Sequence, residues 1–147
     1  MKNILEIKNL YHAYNPEIST IKDFSFSLSK GEIVSIIGAS GIGKTTLLRI
    51  IAGLESIIDG EVIINEQVVS KKNFILPPEK RNVGLVVEDR ALFPHLNVEK
   101  NVMFGIRHLQ ERNFLVHEYL SLFKVADLSN KYPHEISAGQ QQRVAFA

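Results

Sequence analysis

The sequence predicts an α/β fold, and three features of its first third carry that prediction. Apolar and polar residues alternate strictly from Asp23 to Ser29, which is typical of a half-buried antiparallel strand. The β-branched run from Ile33 to Ile37 is typical of a strand covered on both faces. A glycine-rich turn follows, and apolar residues then recur at helical spacing from Lys44 to Leu54, with Gly53 as a left-handed stop. Strand, glycine turn and helix therefore form the expected core.

Further strands are predicted before the chain becomes helical. Strand patterns extend from Glu61 to Asn65 and from Val83 to Val87, and Pro77-Pro78 marks a loop between them. Beyond Arg90 the patterns are helical, which predicts an all-α subdomain. We therefore expect one domain with two parts, in which residues 1–89 form the β portion and the core, and residues 90–147 form the helical subdomain.

Two helices are expected in that subdomain from their own signals. Asn97 is a suitable N-cap for a helix that runs to about Gly105. The second helix is predicted by an apolar stripe with the spacing i, i+4, i+7 and i+8, formed by Leu115, Tyr119, Leu122 and Phe123.

Composition excludes several classes of protein. The 147 residues, 45% hydrophobic and 22% charged, suit one globular domain and exclude a disordered or low-complexity chain. A formal net charge of +1 gives no reason to expect a nucleic-acid partner. The absence of cysteine removes disulfides, thiolate nucleophiles and cysteine-based metal sites. No secretory signal and no run of 18 apolar residues is found, so a cytoplasmic location fits and membrane contact is expected only through a partner.

The glycine-rich turn carries the clearest chemical motif. The segment from Gly38 to Thr45 fits G-x-x-x-x-G-K-[ST], the P-loop, and it lies between a predicted buried strand and a helix, as that motif requires. Glycines let several backbone N–H groups approach a polyphosphate closely, and the helix N-terminus adds about half a positive charge. Lys44 is expected to reach the β and γ phosphates, and the Thr45 hydroxyl to ligate Mg²⁺. We expect nucleotide contacts from Gly38, Ala39, Ser40, Gly41, Ile42, Gly43, Lys44, Thr45 and Thr46.

A simple glycine-rich turn with an exposed lysine is the alternative interpretation of this segment. It explains the glycines, but it explains neither the Lys44-Thr45 pair nor the position of that pair at the start of a helix. Nucleoside triphosphate binding is therefore favoured.

A second motif lies near the end of the chain. Ser137-x-x-Gln140 fits a capping box, in which each residue satisfies a backbone N–H of the other, so a helix is expected to begin here. Taken alone, this pattern would be a well-capped helix. The longer segment ISAGQQQRVA, from Ile136 to Ala145, resembles the signature motif of ABC-type ATPases. That resemblance implies that the helix N-terminus, with Ser137, Ala138, Gly139 and Gln140, meets the γ-phosphate held by the other subunit of a head-to-tail dimer.

The resemblance extends over essentially the whole chain. The segments from Leu76 to Gly84 and from Ala91 to Gly105 are similar to ATPase subunits of bacterial importers that serve ferric iron, polyamines, sulfate and related solutes. It implies a P-loop NTPase fold of the ABC type, with an N-terminal antiparallel β portion, a RecA-like core that is incomplete here, and a helical subdomain. It further implies ATP and Mg²⁺ as cofactors and ATP hydrolysis coupled to solute import. The implied partners are transmembrane permease subunits at the cytoplasmic face of the membrane and, indirectly, a solute-binding protein.

Tyr14 lies where the family places the aromatic residue that stacks on adenine. Tyr11 is the other candidate for this role. For either residue, a plain aromatic on a strand face is the alternative interpretation. Base stacking on such a ring contributes about 1–3 kcal/mol to binding.

Glu88 departs from the family pattern, because it replaces the glutamine of the Q-loop. That glutamine contacts Mg²⁺ and the attacking water in the family. A carboxylate can still ligate Mg²⁺, but it lacks the amide donor. We therefore expect Glu88 to bind the metal directly, as a catalytic and metal-binding residue beside Lys44 and Thr45, or to be turned away from the site.

Two further departures concern the end of the chain. Ala138 replaces a family glycine, from which we expect slower hydrolysis rather than misfolding. The chain stops at Ala147, before the Walker B strand, the general-base glutamate and the switch histidine of the family. The sequence therefore suggests an N-terminal fragment or a truncated copy, inactive by itself, whose uncovered strands would be prone to aggregate.

Two other functions are compatible with these motifs. A soluble ABC-type ATPase, such as a translation or repair factor, would share both motifs but would normally carry a second nucleotide-binding half. A vestigial, non-hydrolysing nucleotide-binding module would fit Glu88, Ala138 and the early end together.

Overall fold

A computed structural model describes residues 2–15, 17–87, 92–106 and 108–147. The chain divides between Leu85 and Val86 into two compact units. The first unit contains an antiparallel sheet with one α-helix and a short 3₁₀ helix, Pro78–Lys80, and the second is helical.

The sheet of the first unit has five strands in the order β2-β1-β3-β4-β5, and every neighbouring pair is antiparallel. The strand predicted from the alternation of Asp23 to Ser29 is confirmed as part of β2, and the strand predicted from Glu61 is confirmed as β3 within two residues. The fully buried side chains of Leu10, Ile50 and Val62 pack in one apolar cluster. The strands are β1 (Asn3–His12), β2 (Ile21–Ser29), β3 (Asp59–Ile64), β4 (Gln67–Lys71) and β5 (Phe74–Ile75).

The helix predicted after the glycine turn is confirmed as α1 (Lys44–Ala52). Its apolar side packs on the sheet through Leu47 and Ile50, which are both buried. Gly53 ends the helix in the left-handed conformation, with a φ of 86°, as its position predicts.

Two predicted strands are not formed. The runs Ile33 to Ile37 and Val83 to Val87 take part in no strand pairing within the described residues. The side chains of Ile33 and Ile37 are 95% and 93% exposed. The prediction was wrong because a β-branched run becomes a strand only when neighbouring strands satisfy its backbone groups, and none of the described strands pairs with these two runs.

The second unit contains α2 (Val98–Ile106), α3 (Arg112–Leu122) and α4 (Ala138–Phe146). The Asn97 cap is confirmed, because its Oδ1 accepts a hydrogen bond from the Lys100 N–H at 2.9 Å. The longest of these helices has 11 residues, and no helix in the described ranges has the length and apolar character needed to cross a bilayer.

The apolar stripe predicted for α3 is wrong, because the buried face of the helix is shifted by one residue. The buried residues of this helix are Val116 and Leu120, one position beyond Leu115 and Tyr119, and Leu122 is 68% exposed. The buried face has the spacing i, i+4 and i+7 from Val116 through Leu120 to Phe123, which is partly buried against the same cluster. The prediction failed because Leu115 and Val116 are both apolar, so the apolar spacing alone fits either face of the helix. The core of this unit is formed by Val98, Val116, Leu120, Val125, Ile136 and Val144.

Arg81 binds the C-terminal end of α1, a contact that no pattern in the sequence indicates. The residue is 2% exposed, and its Nη1 donates to the backbone oxygens of Ile50 at 2.8 Å and Ile51 at 3.1 Å. A cation at this end is favoured by the negative end of the helix dipole. The guanidinium lies so close to Gly53 that a Cβ there would come within 2.5 Å of the Arg81 Nε. Glycine at this helix end therefore also makes room for the arginine.

The other donors of Arg81 tie the helix to the sheet. Its Nη2 donates to the Val69 oxygen at 2.9 Å and to the Ser70 Oγ at 2.7 Å, and its Nε donates to the Leu76 oxygen at 2.7 Å. All five N–H donors of the guanidinium are thus used, each on a neutral oxygen. Burial lowers the pKa of Arg81. The hydrogen bonds compensate for the desolvation of the charge and hold α1 against β4.

Candidate functional site

The glycine turn adopts a backbone that other residues would strain. Gly43 is the N-cap of α1 with a φ of 103°, and Gly41 has a φ of 81°. A Cβ on Gly43 would also lie 3.0 Å from the Thr20 backbone oxygen and 3.3 Å from Ile21 Cγ1. Glycine is therefore required at position 43 by both conformation and space, and at position 41 by conformation.

The turn leaves a row of backbone donors without acceptors. No side chain caps the N-terminus of α1, and its first helical hydrogen bond runs from the Leu47 N–H to the Gly43 oxygen at 2.8 Å. The N–H groups from Gly43 to Thr46 find no acceptor within the described part of the chain. Together with the positive end of the helix dipole, these donors suit an anion.

Lys44 lies over the same turn. Its Nζ donates to the backbone oxygens of Gly38 at 2.7 Å and Ala39 at 2.8 Å. An ammonium group has three hydrogens, so one remains for an oxygen of a ligand. The two carbonyl contacts hold the charge in place before a ligand binds, which reduces the entropy lost on binding.

A cavity of about 400 Å³ opens on this face of the turn. Its volume lies within the range of small-molecule sites. Ile42 instead contributes to a neighbouring cavity of about 330 Å³, where Ile36 and Ile37 also lie. The larger cavity is lined by Tyr14, Thr20, Ser40, Gly41, Gly43, Lys44, Thr45 and Thr46.

Tyr14 forms one wall of the larger cavity, whereas Tyr11 is not among its lining residues. Tyr14 is 62% exposed. Its hydroxyl donates to Glu55 Oε1 at 3.3 Å and lies 3.4 Å from Thr46 Oγ1. Because a phenol has one hydrogen, the Thr46 hydroxyl is the donor in the second contact. Thr46 and Glu55 therefore fix the Tyr14 hydroxyl from two sides.

His12 lies against the ring of Tyr14. The two rings meet edge to face, with centroids 4.6 Å apart and planes at 81°. His12 is 4% exposed, and its Nδ1 has no hydrogen-bond partner among the described residues. Burial lowers the pKa of His12 below its ordinary value of 6.5, against a smaller raising effect of the Glu55 carboxylate. No sequence signal points to this residue, because a lone histidine on a strand is most often structural.

The lowered pKa predicts a pH dependence of stability. As the pH falls through 6.5, His12 takes up a proton in the unfolded chain before it does so in the folded one, so the free energy of unfolding decreases. The contribution of neutral His12 to the free energy of unfolding is complete above pH 6.5. It is lost as the pH falls from 6.5 towards the lower pKa of His12 in the folded state. Urea denaturation between pH 7.5 and 5.5 measures this slope, and we expect a smaller slope in His12→Phe. Equal slopes in parent and variant would show that His12 is not responsible.

The signature segment forms the expected capping box in the second unit. Ser137 Oγ accepts from the Gln140 N–H at 3.3 Å, and Gln140 Oε1 accepts from the Ser137 N–H at 2.8 Å. Ala138 is the first residue of α4 and is exposed. A Cβ on the exposed Gly139 would meet no atom within 4 Å. The N-terminus of α4 is therefore accessible.

The metal-binding predictions rest on few residues. Thr45 lines the larger cavity, and its own N–H is one of the backbone donors without an acceptor among the described residues. Glu88 lies outside the described residues. Within the described ranges, no three side chains of histidine, aspartate or glutamate lie close enough together to hold a metal by themselves. A threonine hydroxyl completed by ligand phosphates is the arrangement typical of Mg²⁺ rather than of a cage made only of protein groups.

Comparison with known proteins identifies relatives over nearly the whole chain. The model of the family described as ABC transporter matches residues 21–147. The chain is 42% identical to the Fe(3+) ions import ATP-binding protein FbpC 2 of Haemophilus influenzae, covering 98% of this chain and 41% of that protein. It is 40% identical to the spermidine/putrescine import ATP-binding protein PotA of Thermotoga maritima, covering 97% of this chain and 39% of that protein. The chain thus spans about two fifths of the length of these relatives.

A solved structure supports the same architecture. That of cbiO1 from Clostridium perfringens, described as part of the ABC transporter complex cbiONQ, superposes with a TM-score of 0.82. The match covers 99% of this chain and 60% of the other, at 24% sequence identity. At this identity the likeness concerns the fold alone, and it confirms the predicted α/β class.

Proposed function

Because the chain belongs to the ABC transporter family, we propose that it is the MgATP-binding part of an ATPase subunit that energises solute import through a membrane permease. The observation that carries this proposal is the row of N–H groups from Gly43 to Thr46, left without acceptors beside the Lys44 ammonium. Donors arranged in this way match the oxygens of a polyphosphate. The adjoining cavity of about 400 Å³ provides room for the rest of a nucleotide.

Each residue of the site has a distinct role in this proposal. Lys44 neutralises the β and γ phosphates with its remaining N–H, and the loop N–H groups orient them. The Thr45 hydroxyl and the Glu88 carboxylate are the metal ligands that this chain offers. A bound Mg²⁺ would neutralise charge that develops on the phosphate oxygens. Tyr14 offers an exposed ring face for adenine at the wall of the cavity.

The second motif suggests how two subunits complete one site. Ser137 and Gln140 each accept a hydrogen bond from the backbone N–H of the other. The N-terminus of α4 is exposed, so its other first-turn N–H groups are available to a ligand. We assign this helix end to the γ-phosphate of a nucleotide held by a second copy, in a head-to-tail dimer. Ala138 places a methyl group at that contact, and slower hydrolysis is the expected consequence.

The names of the relatives support a role in import, but they do not favour one particular solute for this chain. Their names specify Fe(3+) ions, spermidine or putrescine, and 2-aminoethylphosphonate, which differ in charge and size. All of these names describe import ATP-binding proteins. We propose that the permease is contacted by the loop and helices after Glu88, at the cytoplasmic face of the membrane. A solute-binding protein would take part indirectly.

Reconstitution tests the proposed function. The full-length protein is purified together with the membrane protein that it binds and is placed in liposomes, and ATP hydrolysis and solute uptake are measured. We expect both activities to depend on ATP, Mg²⁺ and the membrane partner. Full hydrolysis without any membrane partner would identify a soluble ABC-type ATPase instead. ATP binding without hydrolysis in the complete assembly would identify a non-hydrolysing module.

A further inference from the structure

We propose that His12 is a positioning residue for nucleotide binding, and that its ring braces Tyr14 at the wall of the larger cavity so that Tyr14 can receive the base. This inference rests on the proposed function, since it concerns the same site. His12 itself does not line the cavity, so it would act only through Tyr14.

The contacts of Tyr14 show why a brace is needed. Tyr14 is 62% exposed as a residue, so little packing fixes the orientation of its ring. The hydroxyl is held by Thr46 at 3.4 Å and Glu55 at 3.3 Å, which are long hydrogen bonds. These two contacts fix the tip of the ring and leave rotation about the long axis of the side chain open. The edge-to-face contact with His12, with planes at 81°, is the contact that fixes the plane of the ring.

The environment of His12 indicates that its aromatic ring, rather than its hydrogen bonding, is what matters. The imidazole is buried at 4% exposure, and its Nδ1 is unpaired within the described residues. Burying an unpaired polar atom is unfavourable, so an aliphatic side chain of similar size would fill this space at a lower cost. An aliphatic residue would not supply the edge-to-face interaction, which contributes beyond simple burial.

The brace also lies beside the phosphate donors. Thr46, whose hydroxyl holds Tyr14, belongs to the N–H row at the start of α1. Glu55, which accepts from Tyr14, is in turn 3.4 Å from Arg49 Nε. Tyr14 is thus attached to the first turn of α1 through Thr46 and to the segment after α1 through Glu55, and His12 on β1 sets the plane of the ring relative to them. Loss of the His12 ring should therefore affect the base and leave the phosphates unaffected.

Binding measurements on the full-length protein test this inference. His12→Leu keeps a buried side chain of similar size but removes the ring, and His12→Phe keeps a ring. We expect His12→Leu to weaken ATP binding by about threefold to tenfold. Its affinity for inorganic tripolyphosphate, which has no base, should stay within about twofold of the parent. His12→Phe should retain most of the ATP affinity.

A double-mutant cycle with Tyr14→Ala separates bracing from a general structural effect. In the Tyr14→Ala background, His12→Leu should cause no further loss of ATP affinity, because the braced ring is absent. Two results would overturn the inference. The first is that His12→Leu weakens the binding of ATP and of tripolyphosphate equally. The second is that His12→Leu weakens ATP binding as much in the Tyr14→Ala background as in the parent protein. Unchanged ATP affinity in His12→Leu would also overturn it while leaving the proposed function intact. A parent protein that binds neither ATP nor tripolyphosphate would refute both.

Discussion

Replacing Arg81 with methionine should lower the free energy of unfolding by about 3–5 kcal/mol. Methionine fills a similar space but offers no donor, so the oxygens of Ile51 and Leu76 would keep no hydrogen-bond partner among the described residues. The oxygens of Ile50 and Val69 would each keep one backbone donor, from Gly53 and Leu76. Each unsatisfied buried acceptor costs about 1–3 kcal/mol, and the relief of burying a guanidinium offsets part of the sum. Urea denaturation followed by circular dichroism measures the change.

Arg49 provides a matched control for this substitution. It lies within α1, but its side chain is 49% exposed and its ion pair with Glu55 has an N–O distance of 3.4 Å. Arg49→Met should therefore cost less than about 1 kcal/mol. Arg81→Lys should recover only a small part of the loss, because one ammonium cannot reach oxygens on opposite sides of the guanidinium. A loss below about 1 kcal/mol in Arg81→Met would show that the five hydrogen bonds contribute little net stability.

Removing the Lys44 ammonium should have the largest effect on ligand binding. Hydrogen bonds to charged groups contribute about 1.5–3 kcal/mol, so Lys44→Ala should weaken ATP binding by about 10-fold to 100-fold. The glycine backbone and the helix N-terminus remain, so binding should weaken rather than vanish. Isothermal titration calorimetry with the full-length protein and ATP in the presence of Mg²⁺ gives the affinities directly.

Lys22 serves as the control for total charge. It is an exposed lysine that lines the neighbouring cavity, on the side of the turn that we do not assign to phosphate. Lys22→Ala removes the same unit of charge, and its ATP affinity should stay within about twofold of the parent. If both substitutions had the same effect, long-range charge rather than the position of Lys44 would explain binding.

The local parts of the site could be predicted because their signals lie close together in the sequence. The glycines of the turn, the start of α1 at Lys44 and its end at Gly53 all follow from residues within one short segment. The capping box of Ser137 and Gln140 is equally local. Such features depend on backbone conformation and on hydrogen bonds between near neighbours, which residue types specify directly.

The parts that could not be predicted depend on distant partners. The run from Ile33 to Ile37 has the composition of a buried strand, but a strand also needs pairing partners, and no described strand pairs with it. Arg81 binds oxygens as far away as Ile50, and backbone oxygens leave no trace in a sequence. His12 and Tyr14 are close in sequence, but their perpendicular contact depends on how the chain leaves β1. Tertiary placement decides each of these cases.

The central claim is that the turn from Gly38 to Thr45 holds the terminal phosphates of a nucleotide. A crystal structure of the full-length protein with a non-hydrolysable ATP analogue and Mg²⁺ tests it most directly. We predict that oxygens of the β and γ phosphates lie within hydrogen-bond distance of the N–H groups from Gly43 to Thr46 and of the Lys44 Nζ. Phosphates bound elsewhere, with these donors facing only water, would contradict the account.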